Sequence, residues 1–324
     1  MTLQEEYSNL KTTDLIKDQS DYDVIVVGSG PAGMSAALCL SRAMLSVLII
    51  DRSLPGGQTA TAYKITNYLG FPEGILGSDL STRMEDQLAA YNVTYSCETV
   101  EDIIDMKYNM KRVQTDLGNV YQAKGVILAI GLEPKPLESK FEMQFLGRGL
   151  SYYAQSDVMK YKDKHVAVIG GGNCACYAAD YLSGFVEKLY LIHRSDYLKA
   201  VRSLKEKIMK NPVIDVIWNT EISDAFGIEK LEKIKLHNMT NSQETWLDVQ
   251  GVFIYVGRIP PKDIINFELN VDEKGFIVTD DYMRTNKKGI YAAGDIRSKQ
   301  IRQISTAVSD GMIAAINLDK DLFQ

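Results

Sequence analysis

The sequence predicts an α/β protein with two Rossmann-like domains of the three-layer ββα type, the second inserted into the first. Two glycine-rich loops, each between an apolar strand and a helix, lie about 140 residues apart. A further strand–Gly–Asp–helix pattern occurs near the C-terminus, and the segments "GLEPKPLESK" and "GRIPPKD" indicate two crossings between domains. The predicted bounds are 22–133 and 257–324 for the first domain and 134–256 for the insert.

Composition limits the classes of protein that fit this chain. Its 324 residues, 45% apolar and 24% charged, suffice for two soluble domains with their own cores. The net charge is −6 and no basic patch is interleaved with aromatics, which argues against nucleic acid as a partner. Residues 1–21 are predicted to be a polar arm without a secretory signal, and no apolar run is long enough to span a bilayer. Four cysteines fit a reducing, cytoplasmic compartment.

The first glycine loop has the features of a dinucleotide site. The apolar strand Val24–Val27 leads into "GSGPAG" and a helix, so that a pyrophosphate meets backbone N–H groups at the positive helix end. The next strand ends on Asp51, which is placed to hold a ribose hydroxyl pair. The residues expected to bind the cofactor in this loop are Gly28, Gly30, Pro31, Ala32 and Gly33.

The second glycine loop follows the strand Val166–Ile169 in "KHVAVIGGGNCACYAADYL", where Ala175 completes GxGxxA. Its expected nucleotide-binding residues are Gly170, Gly172, Asn173, His193, Arg194 and Lys199. An NAD site carries an acid at the end of the following strand. Here "LYLIHRSD" carries histidine, arginine and serine instead, so NAD is disfavoured.

Several stretches resemble the low-molecular-weight thioredoxin reductase family from about residue 22 to 316: "GSGPAG", "PGGQTATAYKITNYLGFP", "GVILAIG", "GRGLSY", "GGGNCA", "HR" and "YAAGDIRSKQIRQ". The resemblance implies a homodimer with an FAD domain made from both ends of the chain and a pyridine-nucleotide domain between them. It implies that Asp51 and the first glycine loop hold the ADP half of FAD. On the flavin side it implies Gly57, Gln58 and Asn67. Asp295 would bind the ribityl chain, and Arg302 and Gln303 would lie near the isoalloxazine. The other implied FAD-binding residues are Ala129, Gly131 and Gly294.

The chain departs from this family where the redox disulfide is expected. In the family, "GRGxSY" precedes Cys-x-x-Cys-Asp, whereas here it precedes Tyr153-Ala154-Gln155-Ser156-Asp157. Asp157 stands at the position of the family's proton donor. It either keeps that role or is only a polar side chain in a loop. Tyr153 is expected to face the flavin, where it either stacks on the ring or fills the volume left by sulfur.

The expected nucleotide site is also altered. The family places a cluster of arginines on the 2′-phosphate of NADPH, since a planar guanidinium matches phosphate. Arg194 is kept, whereas Ser195 and Lys199 stand at two other positions of that cluster. The thinned cluster is compatible with weak binding of NADPH at the second glycine loop. It is also compatible with an adenine nucleotide that has no 2′-phosphate, including a second FAD.

The second glycine loop carries the closest pair of cysteines, Cys174 and Cys176. A thiolate at a helix N-terminus is stabilised by the helix dipole, which favours redox work. However, residues i and i+2 of a helix point about 200° apart, so a direct bridge requires a distorted first turn. The alternative to a redox role is that both cysteines are small side chains that fill space in the core. Cys39 and Cys97 are expected to be structural.

The pattern of losses resembles the cyanobacterial diflavin-linked disulfide oxidoreductases. That group has lost the usual cysteine pair as redox centre, has a second FAD beside the first, and uses an active disulfide that communicates with both flavins. The leading prediction is an FAD-dependent disulfide or dithiol oxidoreductase with a non-standard redox centre at Cys174 and Cys176 and a thiol or disulfide partner, protein or small molecule. One alternative is a cysteine-independent NAD(P)H or ferredoxin/flavodoxin oxidoreductase, and another is a non-catalytic flavin-binding sensor.

Overall fold

A computed structural model of the chain describes residues 21–106, 110–261 and 268–323. The predicted N-terminal arm, apart from residue 21, lies outside the described residues.

The chain divides into two compact units. The first contains the described residues up to Ala60, the segment Thr66–Gly131 and the described residues from Pro260 onward. The second contains Thr61–Ile65 and Leu132–Ile259, so it interrupts the first unit in chain order.

The described helices and strands alternate along much of the chain. The helices are α1 (Pro31–Arg42), α2 (Gly77–Ala89), α3 (Lys140–Phe145), α4 (Ala154–Asp157), α5 (Asn173–Leu182), α6 (Arg202–Lys210) and α7 (Ile304–Phe323), with short 3-10 turns at Val158–Tyr161 and Gly294–Ile296. The strands are β1 (Tyr22–Val27), β2 (Val47–Asp51), β3 (Lys64–Ile65), β4 (Ile75–Leu76), β5 (Val93–Cys97), β6 (Val100–Asp105), β7 (Lys111–Thr115), β8 (Val120–Leu128), β9 (Glu133–Pro134), β10 (Leu150–Ser151), β11 (His165–Ile169), β12 (Lys188–Ile192), β13 (Ile214–Ile217), β14 (Thr220–Phe226), β15 (Lys233–Asn238), β16 (Glu244–Asp248), β17 (Gly251–Ile254), β18 (Arg258–Ile259) and β19 (Ile290–Ala292).

The main sheet of the first unit has the strand order β5-β2-β1-β8-β7-β6, and β19 also pairs with β8. Strand β1 is parallel to both neighbours, with Val24 opposite Val47 on one side and Gly125 on the other. The first half of β8 pairs antiparallel with β7, and its last residues pair parallel with β19. Residues from both ends of the chain therefore complete one sheet.

Both faces of this sheet are covered, which explains why β1 is apolar throughout. Val24 and Val26 pack in a core with Leu40 of α1 and Leu318 of α7. The alternate residue Ile25 packs in a second core on the opposite face, formed with β6, β7 and β19. A strand with two buried faces holds the glycine loop that follows it in a fixed position.

The second unit repeats this arrangement around a parallel sheet of order β10-β17-β11-β12-β13. Val166 and Val168 pack against the side that carries α5 and α6. Ala167 and Ile169 lie in a core shared with the antiparallel sheet β14-β15-β16. The predicted three-layer fold is confirmed, and none of the described helices is long and apolar enough to cross a membrane.

Candidate functional site

The first glycine loop is closed so tightly that side chains are excluded from it. Gly28 has a φ of +105°, and a Cβ there would lie 2.4 Å from the Ala129 carbonyl oxygen. A Cβ on Gly33 would lie 1.8 Å from the Gly28 oxygen, whereas one on Gly30 would meet nothing within 4 Å. A Cβ on Gly57 would lie 3.4 Å from the Gly30 Cα. The loop is thus packed behind and open in front, as close approach of a pyrophosphate requires.

Asp51 is fixed beside this loop by hydrogen bonds to both carboxylate oxygens. Its Oδ2 accepts from the Ser29 N–H at 2.6 Å and from the Ser29 hydroxyl at 2.7 Å. Its Oδ1 accepts from the N–H and the hydroxyl of Ser53, both at 3.0 Å. The serine hydroxyls occupy lone pairs that a ribose diol would use, so the backbone donors would hold Asp51 while the diol replaces the hydroxyls.

Four of the residues expected to bind FAD form two pairs within the first unit. Asn67 Nδ2 donates to Gln303 Oε1 at 2.8 Å, which joins segments 236 residues apart. Gly131 has a φ of +62°, and a Cβ there would lie 3.6 Å from Gln58 Nε2. These side chains come from three separate loops.

The turn that carries Asp295 is held by a residue that sequence reasoning missed. Asp310 of α7 is 7% exposed and accepts a hydrogen bond from Gly294 N at 3.1 Å. It also pairs with Arg297 at 2.9 Å and with Lys299 at 2.8 Å, and the Lys299 ammonium lies 3.9 Å from the Asp295 carboxylate. The available signal was a single acid in the otherwise uncharged helical stretch "STAVSDGMIAA".

Arg302 closes the same turn. Its guanidinium donates to the carbonyl oxygens of Asp295 and Arg297, both at 3.0 Å, and lies 3.8 Å from the Phe276 ring centroid. The chemistry of this unit fits FAD: a crowded glycine loop, a fixed ribose carboxylate, a ribityl carboxylate and a basic turn.

The second unit contains a cavity of about 570 Å³ at the carboxyl ends of β11, β12 and β17. Nucleotides bind at this edge of a parallel sheet where the strand order reverses. The expected residues that line it are Gly170, Gly172, Asn173, Cys174, His193, Arg194 and Lys199, and Thr220, Glu221 and Tyr255 join them. All the predicted nucleotide-binding residues of this unit are therefore gathered in one place.

The floor of this cavity is built around a glycine and a histidine. A Cβ on Gly171 would lie 2.5 Å from the His193 ring, and Lys199 N donates to Gly171 O at 2.7 Å. Burial, together with the charges of Lys199 and Arg194, lowers the pKa of His193. The ring is therefore neutral at physiological pH, and its Nε2 has no hydrogen-bond partner among the described residues.

The two clustered cysteines have opposite environments. Cys174 is exposed and lines the cavity, whereas Cys176 is fully buried among apolar side chains of the second unit. Burial raises the pKa of Cys176 to about 11, so it is a protonated thiol at neutral pH. Both are free thiols on α5, and Cys176 N makes a regular helical hydrogen bond to Gly172 O at 3.1 Å. The first helical turn is undistorted, which disfavours a direct bridge between them.

The segment that replaces the family's cysteine pair is polar and ordered. Tyr153 is 49% exposed, and the Ser156 hydroxyl donates to its carbonyl oxygen at 3.3 Å. Although burial opposes it, hydrogen bonds from Lys160 and Ser151, each 2.6 Å long, hold the pKa of Asp157 below its ordinary value. A resident proton donor needs a pKa near the working pH, so Asp157 is poorly suited to that role in this arrangement.

Tyr255 connects this segment with the cavity. Its hydroxyl accepts a hydrogen bond from Ala154 N at 3.2 Å, and its ring lines the cavity. Burial raises the pKa of Tyr255, and the nearby Cys174 and Tyr153 act in the same direction. The exposed thiol therefore lies close to the segment where the family keeps its cysteines.

Two Rossmann-like units, each with a glycine loop at the carboxyl edge of a parallel sheet, define a class of protein that binds dinucleotides for redox chemistry. The model of the pyridine nucleotide-disulphide oxidoreductase family matches residues 22–311, and the chain belongs to that family.

Individual relatives narrow the group. The thioredoxin reductase of Listeria innocua is 39% identical over 308 residues, covering 94% of this chain and 95% of its own. The structure of Lactococcus lactis thioredoxin reductase in its FR conformation has a TM-score of 0.90 at 36% identity, covering 93% of this chain and 99% of its own. A ferredoxin-flavin thioredoxin reductase from Clostridium acetobutylicum has a TM-score of 0.51 at 32% identity, covering 93% and 98%.

The protein is thus a thioredoxin reductase-like flavoprotein and a flavin-dependent oxidoreductase, and FAD is the cofactor expected for it. The predictions of family, fold and enzyme class are confirmed. The alternative of a non-catalytic flavin sensor is set aside, because the family consists of oxidoreductases.

Proposed function

We propose that the protein is an FAD-dependent disulfide or dithiol oxidoreductase of thioredoxin-reductase type in which Cys174 takes over the thiol chemistry of the lost pair. The observation that supports this most is the position of Cys174, exposed in the cavity of the second unit and near Tyr255, whose hydroxyl accepts a hydrogen bond from Ala154 N. FAD, when bound, supplies the two-electron oxidation and reduction.

Cys174 acts through thiol–disulfide exchange. Its thiolate attacks one sulfur of a substrate disulfide, the substrate S–S bond breaks, a mixed disulfide forms, and the second substrate sulfur leaves as a thiolate. The exchange itself transfers no net electrons. FAD, when bound, would supply the two electrons that separate the mixed disulfide into the Cys174 thiol and the second substrate thiol, and in the reverse direction it would accept two electrons from a dithiol held at Cys174. Because Cys176 is fully buried and burial raises its pKa to about 11, we assign the exchange to Cys174 alone and not to the predicted pair.

The cavity of the second unit is proposed to bind an adenine nucleotide, either weakly held NADPH or a second FAD. Arg194 and Lys199 are cations of its lining, and Ser195 is absent from the described residues that line it. Ser195 cannot make the bidentate phosphate contact that an arginine at this position would make.

We place the enzyme in the cytoplasm as a homodimer that acts on a thiol or disulfide partner, by analogy with its thioredoxin reductase relatives.

Anaerobic reduction of the flavin by a dithiol tests this function. We expect Cys174→Ser to abolish bleaching of the visible flavin band. Cys97→Ser provides the matched control, because Cys97 is also exposed but lies in the first unit. Cys176→Ala should retain the reaction. Full dithiol-driven bleaching in Cys174→Ser would overturn the proposal.

A cysteine-independent flavin oxidoreductase is the second candidate. It is favoured by the absence of cysteine from residues 153–157, and by the similarity to a structure named a ferredoxin-flavin thioredoxin reductase. It predicts that reduced ferredoxin, flavodoxin or NAD(P)H bleaches the flavin equally well in wild type and Cys174→Ser, with no dithiol reaction in either.

A further inference from the structure

The start of β14 lies directly against the end of β12. Thr220 N donates to His193 O at 3.0 Å, and His193 N donates to Ile217 O at 2.9 Å. Rossmann folds carry the acid that binds the ribose hydroxyls at the end of this strand. A residue supplied by β14 therefore reaches the same place from a different part of the chain.

Glu221, the second residue of β14, has the properties needed there. It lines the cavity together with Arg194 and Lys199. Its backbone position is fixed by antiparallel pairing opposite His237 of β15. Within the described ranges its carboxylate makes no ion pair or hydrogen bond, and the residue is exposed to the solvent of the cavity.

An unengaged carboxylate distinguishes two kinds of adenosine. It accepts hydrogen bonds from a free 2′-hydroxyl, which is a donor. It repels a 2′-phosphate, which carries close to two negative charges, with a strength that grows as the cavity excludes water. Four cations of the same lining act in the opposite direction: Lys135, Arg194, Lys199 and Arg258. The balance between these cations and Glu221 sets the preference.

We propose that Glu221 supplies the ribose-binding acid of the second unit and makes its cavity select adenine nucleotides with a free 2′-hydroxyl over 2′-phosphorylated ones. This inference rests on the proposed function only in taking the cavity as the second nucleotide site. It replaces the expectation that NAD is disfavoured, which considered the end of β12 alone.

The test compares 5′-AMP with adenosine 2′,5′-bisphosphate, which differ only in the 2′-phosphate, by calorimetry on protein that carries a single FAD per chain in the first unit. Wild type should bind 5′-AMP at least about tenfold more tightly. Glu221→Gln should reduce this ratio by about tenfold, Glu221→Lys should invert it, and Glu221→Asp should keep part of it. Asp224→Asn is the matched control on β14, since Asp224 is exposed and absent from the described cavity lining.

Two further ligands identify the natural source of the adenosine group. NADH should bleach the bound flavin if the cavity serves a nicotinamide donor, whereas added FAD should raise the flavin content above one per chain if it serves a second flavin. If the Glu221 variants weaken the NADH reaction or the binding of the added FAD, that result supports selection of a free 2′-hydroxyl.

Three results would overturn the inference: a wild-type preference for the bisphosphate, a ratio unchanged within about twofold in Glu221→Lys, or no binding of either probe. Failure of the proposed function has a different signature, namely dithiol-driven bleaching that survives in Cys174→Ser. The two ideas therefore stand or fall on separate measurements.

Discussion

Replacement of Asp310 by asparagine is the sharpest perturbation of the FAD-binding turn. The variant keeps the size of the side chain and an oxygen that accepts from Gly294 N. It removes the charge that faces Arg297 and Lys299, whose side chains are 12% and 13% exposed. Two nearly buried cations then lose their shared anion, and Lys299 keeps the more distant Asp295 carboxylate at 3.9 Å.

The expected cost follows from this burial. Removal of one partner from a buried ion pair destabilises a protein by about 3–5 kcal/mol, because the remaining charge is desolvated and uncompensated. We expect about 3 kcal/mol for Asp310→Asn, since the hydrogen bond to Gly294 survives and the cations keep slight access to water. The same turn carries Asp295, so retention of FAD should weaken in parallel.

Denaturant unfolding of the holoprotein, with flavin fluorescence as a second signal, measures both effects. Glu206→Gln is the control, because Glu206 pairs with Arg202 on an exposed helix face and its loss should cost less than about 0.5 kcal/mol. A change below about 1 kcal/mol in Asp310→Asn, with unaltered FAD retention, would refute the argument that this ion cluster holds the turn.

Three further substitutions test other parts of the structure. Gly171→Ala places a Cβ 2.5 Å from the His193 ring, so we expect a loss of about 1–3 kcal/mol in urea unfolding and weaker ADP binding; unchanged values would show that the ring moves aside freely. The folded pKa of Asp157 lies below its ordinary value of 3.8, so its stabilisation is complete above that value and lost as the pH falls through the folded pKa. Asp157→Asn should therefore lower the free energy of unfolding by about 1 kcal/mol at neutral pH and make no difference in strong acid, and a pH-independent loss would contradict this. Asp295→Ala should weaken FAD binding by about tenfold or more through loss of a charge-assisted hydrogen bond, measured as flavin retained after dialysis; full retention would remove Asp295 from the site.

The sequence predicted the architecture because its signals are local. An apolar strand, a glycine loop and a helix are contiguous in the chain, and the loop at Gly28 shows the crowding that excludes side chains. The roles assigned to individual flavin-binding residues stay predictions, although Asn67 and Gln303 do meet in the fold. A contact between such distant segments could be predicted only through the family resemblance.

The parts that sequence reasoning missed depend on tertiary packing. Glu221 reaches the cavity because β14 begins beside the end of β12, and no local pattern encodes that adjacency. The contrast between Cys174 and Cys176 has the same origin, since two positions on one helix turn differ in which side faces the core. Spacing alone identified the pair and gave no measure of its burial.

The interrupted first unit has a consequence for the order of synthesis. The second unit ends at Ile259, so all its residues are synthesised before β19 and α7. Until then α1 lacks the partner to which the Ser35 hydroxyl donates at Val308 O, and Gly125 of β8 lacks the covering side chain of Leu318. The host unit, which begins first, therefore finishes last, and its unsealed apolar surfaces are the part of the nascent chain that most needs protection by chaperones.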